Sequence, residues 1–301
     1  MARVVIIGCG NVGMSFAYQL VTHRNKVSEL VLIDINKDKA CGEAKDLEHA
    51  SVYNVNNIKI WAGEYKDCDN ADIVVITAGK VQDKKQTRAD LIKCNAKIME
   101  SIVESIKKTK FKGIYLVVTN PVDVMTQVVQ VASGFPHERV IGSGTTLDTA
   151  RLRHLISQEL NIDSRNIKAY VLGEHGDSSF VPWNSCSVGL IPIMDKLSCE
   201  QRDKVLYLTR TEAYDIINKK GSTYYGIGVC MANIVDAILE NSQSIRTVSS
   251  FCEKYGVYLG QPTIIGQSGV QQILSVDLTC DESMAMEKSA ETIRGMLKLL
   301  R

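Results

Sequence analysis

Short apolar runs alternate with longer amphipathic ones through the first half of the chain. Residues 4–7, 30–33, 73–77, 114–119 and 140–141 are apolar and rich in β-branched side chains, and each run leads into a Gly, Asp or Asn turn signal. That pattern predicts buried strands. Between them, residues 12–23, 37–50, 89–108 and 122–132 carry helical spacing. Strand and helix in strict succession, with strands apolar on both faces, imply a parallel sheet covered by helices on each side. The rhythm changes after Gly144. A helix over 146–160 leads to β-rich stretches around 169–172 and 185–190, then helices over 199–220 and 226–240. Strands are expected at 247–252, 258–266 and 269–274, with a terminal helix over 281–300. The division falls near residue 143, giving halves 1–143 and 144–301.

Length agrees with that division: 301 residues make two domains of typical size or one large one. The apolar fraction of 45% and charged fraction of 23% are ordinary for a globular chain that buries its own core. A net charge of +1 gives no reason to expect nucleic-acid binding or a membrane-surface patch. Only four apolar residues follow the N-terminal Met1-Ala2-Arg3, too few for a signal-peptide core, and no run approaches the roughly 18 of a membrane span. Nine cysteines, an odd number without a C-x-x-C pair, point to reduced thiols in a cytoplasmic protein rather than to disulfides or a zinc ribbon. No metal site is expected.

Gly8-Cys9-Gly10-Asn11-Val12-Gly13 follows the first strand and opens the first helix. In that context the first glycine permits the tight turn, the second lets the backbone approach a pyrophosphate and the third allows helix and strand to pack closely. Free N–H groups at the helix start then face the phosphates. Asp34 ends the second strand 21 residues after Gly13, where an acid bonds a ribose 2′-hydroxyl and repels a 2′-phosphate, so NAD is favoured over NADP. A capping Asp after a strand is the competing reading.

The histidines separate by context. His23 ends a helix, His49 and His154 sit in polar helical patterns, and His137 lies in a turn. His175 stands among small residues in Gly173-Glu174-His175-Gly176-Asp177 at the end of an expected strand, where a ligand can approach an imidazole that titrates near neutrality. Asp148 and Arg151 share a helix face one turn apart. Spacing alone makes them an ordinary surface pair, but Arg151 suits a carboxylate and Asp148 suits orienting an imidazole. Arg88 closes the polar segment 80–88, which carries +3 and would draw a small anion.

Taken in order, these segments resemble the L-lactate/malate dehydrogenase family, essentially from Arg3 to the C-terminus. The likeness is carried by Gly8–Gly13, Thr77-Ala78-Gly79 leading to Thr87-Arg88, Thr119-Asn120-Pro121, the stretch 142–151, Gly173–Asp177 and Lys220-Gly221-Ser222-Thr223-Tyr224-Tyr225-Gly226. It implies an α/β fold: a Rossmann-type doubly wound parallel sheet followed by a mixed α+β substrate domain. It implies His175 as acid/base partner of the substrate oxygen, Asp148 as its orienting acid, Arg88 polarising the carbonyl and Arg151 holding the carboxylate. Asn120 would bond the substrate oxygen and the cofactor side, and Thr223 would line the pocket. Gly8, Gly10, Asn11, Val12, Gly13, Asp34, Thr77, Ala78, Gly79, Asn95, Asn120 and Ser143 would bind NAD, with Ser143 at the nicotinamide. A homotetramer or homodimer is the expected assembly.

Gln82 is the discriminating position within the resemblance. The malate branch has Arg there to pair with a second carboxylate, and the lactate branch has Gln. A charge pair at 4 Å is worth about 4 kcal/mol at an effective dielectric of 20, or about a thousandfold in rate, so its absence argues for a neutral side chain. Pyruvate is favoured, with the larger 2-oxo acids of L-2-hydroxyisocaproate dehydrogenases as the alternative, malate dehydrogenase behind, and a non-catalytic NAD-binding protein as a different class. The loop has the lactate-type length, but Lys84-Lys85 replaces the usual Pro-Gly. Bacterial members activated by fructose 1,6-bisphosphate bind it through an Arg and a His; Arg153 matches the first and Lys168 takes the place of the second.

Overall fold

The computed structural model describes residues 2–53, 57–80 and 87–300. In chain order the first half contains β1 (Ala2–Ile7), α1 (Asn11–Thr22), β2 (Val27–Ile33), α2 (Lys37–Ser51), β3 (Lys59–Ala62), β4 (Ile73–Ile76), α3 (Arg88–Lys107), β5 (Ile114–Val117), α4 (Val122–Ser133) and β6 (Val140–Gly142). The second half contains α5 (Thr146–Leu160), β7 (Ile167–Lys168), β8 (Ser187–Val188), β9 (Ile191–Pro192), α6 (Cys199–Lys220) and α7 (Tyr225–Leu239). It continues with β10 (Ser244–Arg246), β11 (Ser249–Cys252), β12 (Val257–Gly260), β13 (Thr263–Gly266), β14 (Gly269–Ile273) and α8 (Cys280–Lys298).

The main sheet runs β3-β2-β1-β4-β5-β6-β11-β12. Its first six strands are parallel, in the doubly wound order expected. Period-2 alternation assigns each strand residue a layer. Val5, Ile7, Val74 and Ile76 face one core with Ile92, Met99 and Val103 of α3, Val124 of α4 and Ile293 of α8. Val4, Ile6, Ile73 and Val75 face the other with Phe16 and Leu20 of α1, Leu47 of α2 and Met231 and Val235 of α7. Burying each such side chain contributes about 1.5–3 kcal/mol relative to exposure, so a one-residue slip of any central strand is costly. Helices α7 and α8 come from the second half, so both layers draw on the whole chain. A third core, around Leu152, Ile156, Val171 and Val205, belongs to the second half alone.

Four details differ from the reading of the sequence. The sheet is not purely parallel, because β11 and β12 from the second half extend it as antiparallel strands beside β6. Strand β3 was not anticipated; its four residues include an exposed Lys59 and only one fully buried residue, Ile60, too short an alternation to read. The stretch 169–172 is not a strand: pairing occurs at Ile167–Lys168, with only isolated bridges at Leu172 and Gly173. Finally, 258–266 is two strands, broken at Gln261-Pro262, where proline offers no N–H to a ladder. Two small antiparallel sheets, β10-β13-β14 and β7-β8-β9, complete the fold. Among the described residues no helix is long and apolar enough to cross a membrane.

Candidate active site

The turn between β1 and α1 is packed tightly on two sides and open on the third. Gly8 has φ +110°, and a Cβ there would stand 2.5 Å from the Ala78 nitrogen. A Cβ at Gly13 would meet the Gly8 carbonyl oxygen at 2.1 Å. At Gly10 nothing lies within 4 Å. Gly10 is also the N-cap of α1, and no side chain caps the helix, so its first N–H groups face that open space with the positive end of the helix dipole. This arrangement fits a pyrophosphate. The Thr77 hydroxyl donates to the Gly8 carbonyl at 2.7 Å and the Ala78 N–H to Ile7 at 2.9 Å, fixing the turn from the neighbouring strand.

Asp34 is partly exposed at the end of β2 and accepts from the Cys9 N–H at 2.7 Å and the Asn36 N–H at 2.8 Å. The capping reading of Asp34 thus holds: its carboxylate caps the turn while the residue stays partly exposed. The Cys9 thiol is buried, and burial first, then the nearby Asp34 charge, push it up to about 12, so it carries no nucleophilic chemistry at neutral pH. Asn95, 1% exposed, spends its amide on the protein: it accepts from the Lys80 N–H at 2.8 Å and donates to the Asn120 carbonyl at 2.8 Å. It thereby ties the Gly79 loop to Asn120, which is exposed before α4 and joined to Pro121 by a cis peptide bond. Thr119 adds a bond to the Ala78 carbonyl at 2.7 Å. Val12 is half-buried in the first turn of α1, and the Asn11 side chain reaches Ser222, the neighbour of the half-buried Thr223, at 3.4 Å.

The chemical cluster forms where the two halves meet. Asp148, in the first turn of α5, has one oxygen 2.6 Å from His175 Nδ1 and accepts from Arg151 Nη1 at 3.0 Å through the other. The i, i+3 spacing is therefore not a surface pair: the side chains of Arg151 and Asp148 are only 11% and 13% exposed. The negative charge of Asp148 is the largest influence on His175, and it outweighs burial to push the imidazole up to about 9. With Nδ1 turned to Asp148, the exchangeable proton of His175 sits on Nε2. Burial works against the charge of Asp148, but the His175 charge, its hydrogen bond and Arg151 outweigh it and hold the carboxyl below the usual range.

A second acid meets His175 from behind. Asp123, in the first turn of α4 and 2% exposed, accepts from the His175 backbone N–H at 2.8 Å and from the Ser249 hydroxyl at 2.5 Å. Burial pushes this carboxyl up to about 6, only partly opposed by those two hydrogen bonds and by the His175 charge. The sequence reading missed Asp123; its only signal is an acid two residues beyond Pro121. Ser249 gets there because Gly142 opposes it in the sheet: a Cβ at Gly142 would stand 2.8 Å from the Ser249 Cβ and 2.3 Å from the Thr126 hydroxyl. Next to Gly142, Ser143 is buried and donates its N–H to Val117 at 2.9 Å.

Arg88 opens α3 rather than lying in the loop before it, with Thr87 and Asp90 forming a reciprocal cap. Its Nη2 lies 3.2 Å from Glu174, the residue before His175. Gln82, Lys84 and Lys85 fall outside the described residues. Arg153 is two positions past Arg151, on the opposite side of α5, donates to the Ala169 carbonyl at 2.9 Å and stacks over Tyr170; Lys168 is exposed. Of the other histidines, His49 and His154 are exposed, His137 stacks on Phe251, and His23 lies 2.7 Å from Asp236 of α7.

Residues 2–142 match the lactate/malate dehydrogenase NAD binding domain, and residues 145–300 match the lactate/malate dehydrogenase alpha/beta C-terminal domain. The L-lactate dehydrogenase of Priestia megaterium is 46% identical over 97% of this chain and 94% of its own length. A lactate dehydrogenase from a Medee basin deep-sea metagenome library superposes with a TM-score of 0.96 at 44% identity, covering 99% of this chain and 98% of that one. The ligand-bound minor L-lactate dehydrogenase of Enterococcus mundtii also reaches 0.96, at 39% identity over 100% of this chain and 98% of that one. The cofactor is NAD, and the matched residues 2–142, which include the open, uncapped helix start beside Gly10, form its binding domain. With both of its halves matched and its relatives covered nearly end to end, the chain belongs to the lactate/malate dehydrogenase family.

Proposed function

We propose that this enzyme interconverts pyruvate and L-lactate, with His175 as the group that gives and takes the proton. The observation that carries the reading is the Asp148–His175–Arg151 contact set, with 2.6 Å and 3.0 Å contacts beside the dinucleotide groove. NAD, when bound, supplies the hydride acceptor or donor. The chain's own residues do the rest. Arg151 holds the substrate carboxylate with the guanidinium donors that Asp148 leaves unused. His175 donates its Nε2 proton to the carbonyl oxygen as negative charge develops there, and Asp148 stabilises the charged ring before that step and keeps its tautomer after it. Arg88 and Asn120 point donors at the same oxygen, and Ser143 and Thr223 line the groove on the cofactor and side-chain sides. An imidazole held up to about 9 is protonated at neutral pH, so the free enzyme is set for reduction of the 2-oxo acid.

Gln82 supports a neutral substrate side chain, and the +3 of segment 80–88 supports an anionic substrate. Initial rates with NADH and a panel of pyruvate, 2-oxoisocaproate, phenylpyruvate and oxaloacetate, with and without fructose 1,6-bisphosphate, test the reading. Pyruvate is expected to lead. Faster turnover of oxaloacetate would overturn the specificity argument, and Gln82→Arg should move preference toward oxaloacetate by up to about a thousandfold.

A further inference from the structure

Glu174 is a buried acid to which the site chemistry assigns no part. Its side chain is 3% exposed, whereas that of Arg88, its ion-pair partner 86 positions away, is 57% exposed. One carboxylate oxygen takes Arg88 Nη2 at 3.2 Å and the other accepts from the Ser178 hydroxyl. Ser178 is in turn anchored by Ser289 of α8, which donates to its carbonyl at 2.7 Å and lies 3.2 Å from its hydroxyl. Glu174 is thus a rigid anion fixed from the second half, and Arg88 is a long side chain projecting from the start of α3 in the first.

We propose that Glu174 is the positioning residue for Arg88, holding one edge of the guanidinium so that its remaining donors face the substrate oxygen. The proposal rests on the reading that Arg88 polarises the carbonyl. A buried carboxylate is costly to leave without its cation, so Arg88 keeps this partner when substrate arrives. A guanidinium carries five donors in a fixed plane, so one bond to Glu174 sets the direction of the rest. It also removes rotamer freedom that a half-exposed Arg would otherwise lose on binding. The logic repeats that of Asp148, which stands behind both His175 and Arg151. Each cation aimed at the substrate then has a buried acid behind it.

The test is a double-mutant cycle on the full-length enzyme with Glu174→Gln and Arg88→Gln, reading kcat and KM for pyruvate, NADH affinity by fluorescence, and thermal unfolding. Glutamine keeps the size of Glu174 and its bond from Ser178 while removing the charge. Glu174→Gln is expected to lower kcat/KM for pyruvate by about ten- to a hundredfold, the worth of a charged hydrogen bond, with NADH affinity and the alkaline limb set by His175 unchanged. In the Arg88→Gln background the same change should cost less than about threefold. An equal loss in both backgrounds, or a shifted alkaline limb, would show that Glu174 acts on the fold or on His175 and would overturn the proposal. No loss in Arg88→Gln alone would sink both this proposal and the assigned role of Arg88, while leaving pyruvate reduction by the native enzyme intact. Should Glu174→Gln not fold, Ser178→Ala loosens the far side of the carboxylate; a smaller loss that vanishes with Arg88→Gln supports the proposal, and one that persists overturns it.

Discussion

His175 is gripped on two sides by buried carboxylates, Asp148 at the ring and Asp123 at the backbone, and the two acids lean in opposite directions. Asp148 is held below the usual carboxylate range, although its burial works against it. Asp123 is pushed up to about 6 by burial. Their distances to His175 are similar, 2.6 Å and 2.8 Å, so distance does not separate them. What differs is the partner. Asp148 takes its hydrogen bonds from the imidazole and a guanidinium; Asp123 takes its own from a backbone N–H and a serine hydroxyl, which are neutral, and the His175 charge lowers it less than either bond. Opposite charge at hydrogen-bond distance overcomes desolvation, and neutral donors only reduce it. The ring side of His175 is therefore built to stabilise charge, and the backbone side is built to fix position.

The largest effect is expected at the residue both acids share. His175→Ala should lower the reductive kcat by about 10²–10⁴-fold, the usual contribution of a positioned acid/base group, with NADH affinity retained. Stopped-flow NADH oxidation with pyruvate reads it, and a loss under tenfold would mean that another group carries the proton. The next largest effect belongs to the ring side. The Asp148 charge raises the folded pKa of His175 to about 9, so the protonated, active form persists up to that pH and is lost above it. Asp148→Asn removes the main cause and moves the alkaline limb toward the ordinary value near 6.5. At pH 8 protonation alone then costs about thirtyfold in reduction, before any loss of tautomer control. A pH profile of kcat/KM decides it; an unmoved limb would detach Asp148 from the titration.

How much of this was legible in the sequence follows the distance between partners. The phosphate turn was readable because its three glycines and the helix they open lie within six consecutive residues, and Asp34 stands at the end of the next strand. Asp148 and Arg151 were readable as a pair by helix spacing, but their depth was not, since nothing in the stretch 146–160 says which face is covered. Asp123 was not readable at all. It lies 52 positions from the N–H it accepts and 126 from the hydroxyl, and an acid in the first turn of a helix needs no partner to make sense. The strand carrying Ser249 was expected, yet its place beside β6 depends on a missing side chain at Gly142, a contact that hydrophobic patterning does not encode. Glu174 stood in plain view beside His175 and needed the fold to supply Arg88.

The smallest effect on rate is expected on the backbone side, where the sharpest contrast with Asp148 also lies. Ser249→Ala deletes a donor to Asp123 without touching the ring of His175. Activity near neutral pH should fall only a few-fold, and the alkaline limb should stay where it is. Stability should respond instead, because a buried acceptor left without its donor costs about 1–3 kcal/mol. The sign of the pH dependence follows from Asp123. Its folded pKa is raised to about 6, so its stabilising form is the protonated one, present in acid and lost as pH rises through that value. Deleting Ser249 removes a bond that favours the ionised form, raises the folded pKa further and extends the loss to higher pH. Urea unfolding of the variant and the native enzyme should therefore diverge little at pH 5 and most near pH 8. A deficit equal at both pH values would mean that Asp123 does not titrate in this window, and an alkaline limb moved as far as in Asp148→Asn would mean that the Asp123 charge, a lesser influence on His175, governs the ring as much as Asp148 does.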